Sequence, residues 1–161
     1  MKFVSLLFLL VSLNSFASDT YDVSFDFTTR RLDLATEEWI QPKDVVKKTF
    51  QITLDKGEEG NLFGMSSIEQ TIYGIKYSFD VILQEKIDPA TNKKTARLNV
   101  SITSDDLPEY DSDQAAVTLN SFEAFKEVDF TIMPGSHQVE GISYFNVFEN
   151  VEIKKVKAVY S

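Results

Sequence analysis

The 161-residue chain contains no cysteine, one histidine and one tryptophan, and only four prolines and six glycines. Without a thiol there is no disulfide, no cysteine-ligated zinc and no acceptor for the lipid of a lipoprotein. A single histidine, His137, cannot build a histidine-rich metal centre. The six glycines form neither a dinucleotide fingerprint nor a Walker loop, and no HExxH helix occurs. Close backbone approach to phosphate and classical zincin chemistry therefore have no motif to rest on.

Positive charge is also short. Sixteen Lys and Arg face 25 Asp and Glu, leaving a net charge of −9. That balance opposes nucleic-acid binding, which needs clustered cations to neutralise phosphates. It opposes anionic lipid headgroups for the same reason. Its ordinary consequence is solubility through mutual repulsion.

Only one long apolar run is present, from Phe3 to Leu13. Lys2 precedes it, and Ser15-Phe16-Ala17 follows with small residues at the −3 and −1 positions of a cleavage site. This layout predicts a secretory signal peptide over residues 1–17. The run falls short of the roughly 20 residues that a membrane span requires, so no span is expected after cleavage. With no cysteine, the remainder reads as a bacterial export product, periplasmic or secreted, that is held together by its core. Residues 18–161 are long enough for one domain.

Beyond the leader the dominant signal is an apolar period of two. Tyr21, Val23, Phe25 and Phe27 alternate with Asp22, Ser24, Asp26 and Thr28. Phe50, Ile52 and Leu54 repeat the pattern, as do Tyr73 to Leu83 and Ala96 to Ile102. Val117 with Leu119, Val128 to Ile132 and Ile142 to Tyr160 supply the rest. Alternate side chains of a strand point to opposite faces, so each segment has one buried and one wet face. Changes of phase at Gly74 and across Lys154-Lys155 predict a bulge at each place. Asp88-Pro89-Ala90-Thr91-Asn92 predicts a turn joining two long strands into a hairpin. Helix is scarce: Asn120 to Glu123 has capping-box spacing, with Phe122, Phe125 and Val128 on one face, and Thr36 to Trp39 has room for a helical turn before Pro42. The expected fold is all-β, an antiparallel two-sheet sandwich of seven or eight strands with at most one or two short helical turns.

Candidate chemistry is thin. Asp105, Asp106, Glu109, Asp111 and Asp113 form an acidic stretch, with Asp105, Asp111 and Asp113 as its best calcium ligands. The EF-hand spacing is missing, so a solvated loop is expected there. His137, beside Pro134-Gly135, lacks a nucleophile-elbow partner and reads as a turn residue. No catalytic, cofactor or metal residue is assigned. The aromatics are more informative, because the ten Phe and six Tyr beyond the leader fall mostly on the apolar phase. Core packing accounts for those. Phe122, Phe125, Tyr144, Phe145 and Phe148 break simple alternation, and together with Trp39, in the Thr36 to Ile40 segment, they are the candidate recognition surface.

The resulting expectation is an exported, non-catalytic module of the cell envelope. Its expected partner is another envelope protein or a glycan. Strand addition to a long edge such as Ile75 to Leu83 is one route. The alternatives are a small outer-membrane barrel, in which the apolar phase faces lipid, and an exported hydrolase.

Overall fold

The computed structural model describes residues 18–41, 45–57, 60–106, 113–132 and 138–156. The expected leader, Pro42, Asp111 and His137 lie outside them. The strands are β1 (Asp19–Asp33), β2 (Glu38–Ile40), β3 (Val46–Lys56), β4 (Leu62–Ile72) and β5 (Ile75–Asp88), then β6 (Lys93–Thr103), β7 (Asp113–Leu119), β8 (Phe130–Ile132), β9 (Gln138–Val139) and β10 (Ile142–Lys155). A 3-10 helix, Phe122–Glu127, lies between β7 and β8.

All-β is what the alternation predicts, but the two-sheet sandwich is not what forms. The strands make one antiparallel sheet in the order β7-β6-β5-β4-β3-β1-β10-β8, with β2 attached to β1 and β9 to β10. The two ends of that path, β7 and β8, approach one another, so the sheet curls into a nearly closed, barrel-like form. The sandwich expectation has a visible physical origin. β3 and β4 pair only through Asp55 with Phe63 and Lys56 with Leu62, so the barrel has a sharp corner there. One buried face per strand is common to both architectures, and a period of two cannot separate them.

The corner depends on Gly64. It is buried on β4, and a Cβ there would overlap the Thr53 carbonyl oxygen and lie 2.7 Å from Ile52 Cγ2. Only a residue without a side chain lets β4 cross β3 at this distance.

Three other local readings change. The phase switch at Gly74 is no bulge but the turn of the β4–β5 hairpin. Tyr73 and Gly74 both have positive φ (51° and 80°), and Ile72 pairs with Ile75. Such two-residue turns match the right-handed twist of the strands they join. The bulge near the C-terminus sits at Asn150 (φ 53°) rather than across Lys154-Lys155. There the β1–β10 register slips by one residue, from Ser24 opposite Glu152 to Asp26 opposite Glu149. The slip carries the inward face of β10 from Val151 and Ile153 to Asn146 and Phe148. The segment Ile75 to Leu83 is also no edge, because β5 is paired along both sides, by β4 and β6.

The β5–β6 hairpin is as predicted. Asp88 Oδ1 accepts from the Ala90 and Thr91 amides (2.8 and 3.3 Å), the local bond that suits Asp to a turn. Those bonds, led by the Ala90 amide, hold the Asp88 carboxyl below its usual range. The capping-box segment forms the 3-10 helix, with Phe122 and Phe125 buried against the core. Phe122 meets Tyr21 edge-on at 4.8 Å, so the helix covers one end of the barrel. Thr36 and Glu37 lie in the turn entering β2, and Trp39 lies on that strand rather than in a helical turn.

Phe148 is the hub of the core. Its ring lies 4.9 Å from Phe25, 5.0 Å from Phe27 and 5.7 Å from Phe79, which joins β10 to β1 and, across the interior, to β5. Phe148→Ala should cost about 3–5 kcal/mol, read as a lower urea midpoint at unchanged slope. A loss under about 1 kcal/mol would show that the ring is not a hub. Gly64→Ala should cost about 1–3 kcal/mol by forcing β4 away from β3. An unchanged midpoint in that variant would mean that the corner yields freely.

Candidate functional site

The six aromatics singled out above separate into two environments. Phe122, Phe125 and Phe148 are core residues. Tyr144 is half-buried and shares the inward face of β10 with Asn146 and Phe148. Trp39 and Phe145 come together on the outside of the barrel, with ring centroids 5.0 Å apart and planes tilted by 54°.

Neighbouring turns hold this outer pair in place. Asp33 Oδ1 accepts from the Ala35 and Thr36 amides, at 2.8 and 3.3 Å, closing the turn into β2. The Leu34 amide donates to the Gly141 carbonyl (2.9 Å), tying that turn to the β9–β10 hairpin. β2 then pairs with β1, Trp39 opposite Leu32, while Phe145 lies opposite Arg30 on the other side of β1. Trp39 remains 55% exposed. Beside it, among the described residues, Arg30, Ile40 and Gln41 line an open cleft of about 270 Å³. Arg30 is ion-paired with Glu149, so the cleft presents an indole, an ion-paired guanidinium and an amide together.

The inner face of the same strands carries a second group. At the Arg31 end the inward row of β1 turns polar: Phe25 and Phe27 give way to Thr29 and Arg31. Thr29 Oγ1 donates to Asn146 Oδ1 (2.9 Å), and both residues are wholly buried. Arg31 lies opposite Tyr144 across the β1–β10 ladder. Its guanidinium sits 4.1 Å above the Tyr73 ring, a cation–π contact to the β4–β5 turn. Tyr77 lies nearby on β5, its phenol pushed up to about 12 by burial, with Tyr144 adding to the shift. Sequence reasoning missed Thr29, Arg31 and Asn146. The only available signal was that the inward phase of β1 continues through Thr29 to Arg31, so that it ends on polar residues.

The acidic stretch is described only in part. Asp106 Oδ2 accepts from the Lys76 amide (2.6 Å), and Ser104 Oγ donates to the Lys76 carbonyl (2.7 Å). Both are turn and strand-end contacts. Among the described residues no group of three or more His, Cys, Asp or Glu is placed to hold a metal ion. Comparison with known protein families, with curated proteins and with solved structures gave no match.

The buried phenols have a measurable consequence. Tyr21, like Tyr77, is pushed up to about 12, chiefly by burial and then by the carboxylates of Glu85, Asp19 and Glu123. A phenol in the unfolded chain ionises near pH 10. From about pH 10 to about pH 12 the unfolded chain therefore binds fewer protons than the folded one, and stability falls as pH rises. Below about pH 10 these two groups leave stability unchanged. Urea unfolding across this window should show the decline, and Tyr77→Phe should make it shallower. An equal slope in wild type and variant would refute the assignment to Tyr77.

Proposed function

We propose that this chain is an exported, non-catalytic recognition protein of the bacterial cell envelope that binds a glycan on the outer cleft at Trp39. The observation that carries the reading is the exposed indole braced by Phe145 and flanked by Gln41 and by Arg30, itself ion-paired with Glu149. A sugar ring has one apolar C–H face and a rim of hydroxyls. An aromatic plate with charged and amide groups at its edge satisfies both halves of that surface.

The dimensions favour a saccharide over a folded protein. A specific protein interface takes about 800 Å² from each partner, centred on a sizeable apolar patch. Trp39 has Leu34 near it in the adjoining turn, whereas Phe63 and Met65 are exposed on β4. The leader-like start of the sequence and the absence of cysteine support export. The apolar phase packs inward, and Asp22, Lys47, Gln51 and Lys76 project outward. That arrangement supports a dry-cored protein, because a lipid-facing barrel needs an outward apolar band. Among the described residues the cleft places no nucleophile beside a base, which supports binding rather than hydrolysis.

Trp39 is the sole tryptophan, so intrinsic fluorescence reports on this cleft alone. The chain, expressed with its own leader and released by osmotic shock, should change its emission when titrated with muropeptides or neutral oligosaccharides. Trp39→Phe removes the reporter, so affinity for the variants is read by calorimetry. Trp39→Ala should cost about 2 kcal/mol of binding, roughly 30-fold in affinity. Phe145→Ala should weaken binding less, by freeing the indole. A protein that needs detergent for extraction, or one that binds saccharide equally well as Trp39→Ala, would overturn the reading.

A further inference from the structure

The polar end of the barrel interior is a separate feature, and it has a chemical imbalance. Thr29, Arg31, Tyr144 and Asn146 form a two-by-two block on the inward faces of β1 and β10. Thr29 lies opposite Asn146 and Arg31 opposite Tyr144. Arg31 and Asn146 are therefore diagonal neighbours on one face, a spacing of about 7–8 Å that long side chains bridge.

Two donors in this block have no acceptor among the described residues. They are Arg31 Nε–H and the Asn146 Nδ2 amide group, both shielded from solvent. Asn146 is wholly buried, and its carbonyl oxygen is already taken by Thr29 Oγ1. In that arrangement the accepting end of the amide is used and the donating end is left over. Buried donors left unsatisfied each cost about 1–3 kcal/mol, and the penalty is larger for a charged group. No carboxylate among the described residues forms an ion pair with Arg31, whereas Arg30, next in sequence and facing outward, is paired with Glu149.

A guanidinium and an amide share this inward face, with a surplus of N–H groups and a surplus positive charge. The walls are aromatic: the Tyr73 ring lies under the guanidinium, and Tyr77 and Tyr144 are close by. The mouth of a small barrel is a common place for one small ligand. We propose that this end of the barrel binds a small organic carboxylate. Its oxygens accept from Arg31 Nε–H and Asn146 Nδ2, and its flat or apolar body lies against the tyrosine rings. A planar two-oxygen acceptor suits the guanidinium fork. The tyrosine walls favour an organic acid over a bare inorganic anion. This inference is independent of the glycan cleft, which lies on the outward face of the same strands.

The test uses the purified full chain in a nitrogen–proton correlation experiment, with Arg31→Lys used to assign the Arg31 Nε–H signal. The probes are benzoate, hexanoate and inorganic phosphate. Benzoate, and hexanoate more weakly, should shift both the Arg31 Nε–H and the Asn146 side-chain amide signals saturably. Arg31→Lys, which keeps the charge but removes Nε–H, should weaken benzoate binding roughly tenfold by calorimetry. Asn146→Asp, which replaces the donor by an acceptor of the same shape, should abolish it. Trp39→Ala should leave it unchanged. If Asn146→Asp does not fold, Arg31→Lys and the wild-type shifts still decide the matter. No saturable shift with either carboxylate would overturn the proposal, as would shifts confined to Arg30 and Arg97. Binding of phosphate but not benzoate would overturn the carboxylate assignment. Loss of glycan binding with benzoate binding intact would refute the cleft reading alone.

Discussion

The pairing of β1 with β10 is the constraint on which the rest of the molecule depends. These are the first and last long strands of the described chain, and they are matched from Tyr21 opposite Lys155 to Asp33 opposite Ile142. The contact is the most non-local in the sheet, so it carries the largest loop-closure entropy and must be rewarded by burial. The reward is the Phe25, Phe27, Phe79 and Phe148 cluster, in which rings from both strands meet one from the far wall. Contacts at the ends of the two strands, such as Lys155 with Asp19 at 2.5 Å, are exposed and add little.

The same ladder organises both candidate sites. Going along β1, odd residues face inward and even residues outward. Arg31 therefore enters the interior while Arg30, one position earlier, faces solvent and pairs with Glu149. The Asn150 bulge makes this possible on the partner strand. Without the extra residue, the set Asn146 and Phe148 and the set Val151 and Ile153 would lie on opposite faces, and one of them would be lost from the core. One inserted residue thus places both the aromatic hub and the buried amide.

Buried polar groups at the Arg31 end are a departure from the apolar rule that governs the rest of the interior. Natural sequences tend to break local consistency where they have a use for it. Thr29 and Asn146 satisfy one another, but Arg31 and the amide donor do not complete their bonding within the described chain. At the opposite end the interior is closed conventionally. Phe122 of the 3-10 helix packs on Tyr21 with Phe125 beside it, and no comparable imbalance occurs there among the described residues. The two ends of the barrel therefore differ in kind, one sealed by rings and the other lined with donors.

From the sequence alone the alternation of Tyr21 to Phe27, Phe50 to Leu54 and Ala96 to Ile102 determined that these segments are strands and which side of each is buried. That property is local, because successive side chains point to opposite faces whatever the neighbours are. The Asp88 hairpin was legible for the same reason, since Asp and Pro act on backbone within a few residues. Trp39 and Phe145 stood out as candidates, yet nothing in the sequence placed them 5.0 Å apart. Tertiary structure decided closure into a barrel, the β3–β4 crossing at Gly64, and the meeting of Arg31 with Tyr73 and of Thr29 with Asn146. Each of these depends on which distant strands become neighbours and in what register, and strand pairing across a hundred residues leaves no periodic trace in the chain.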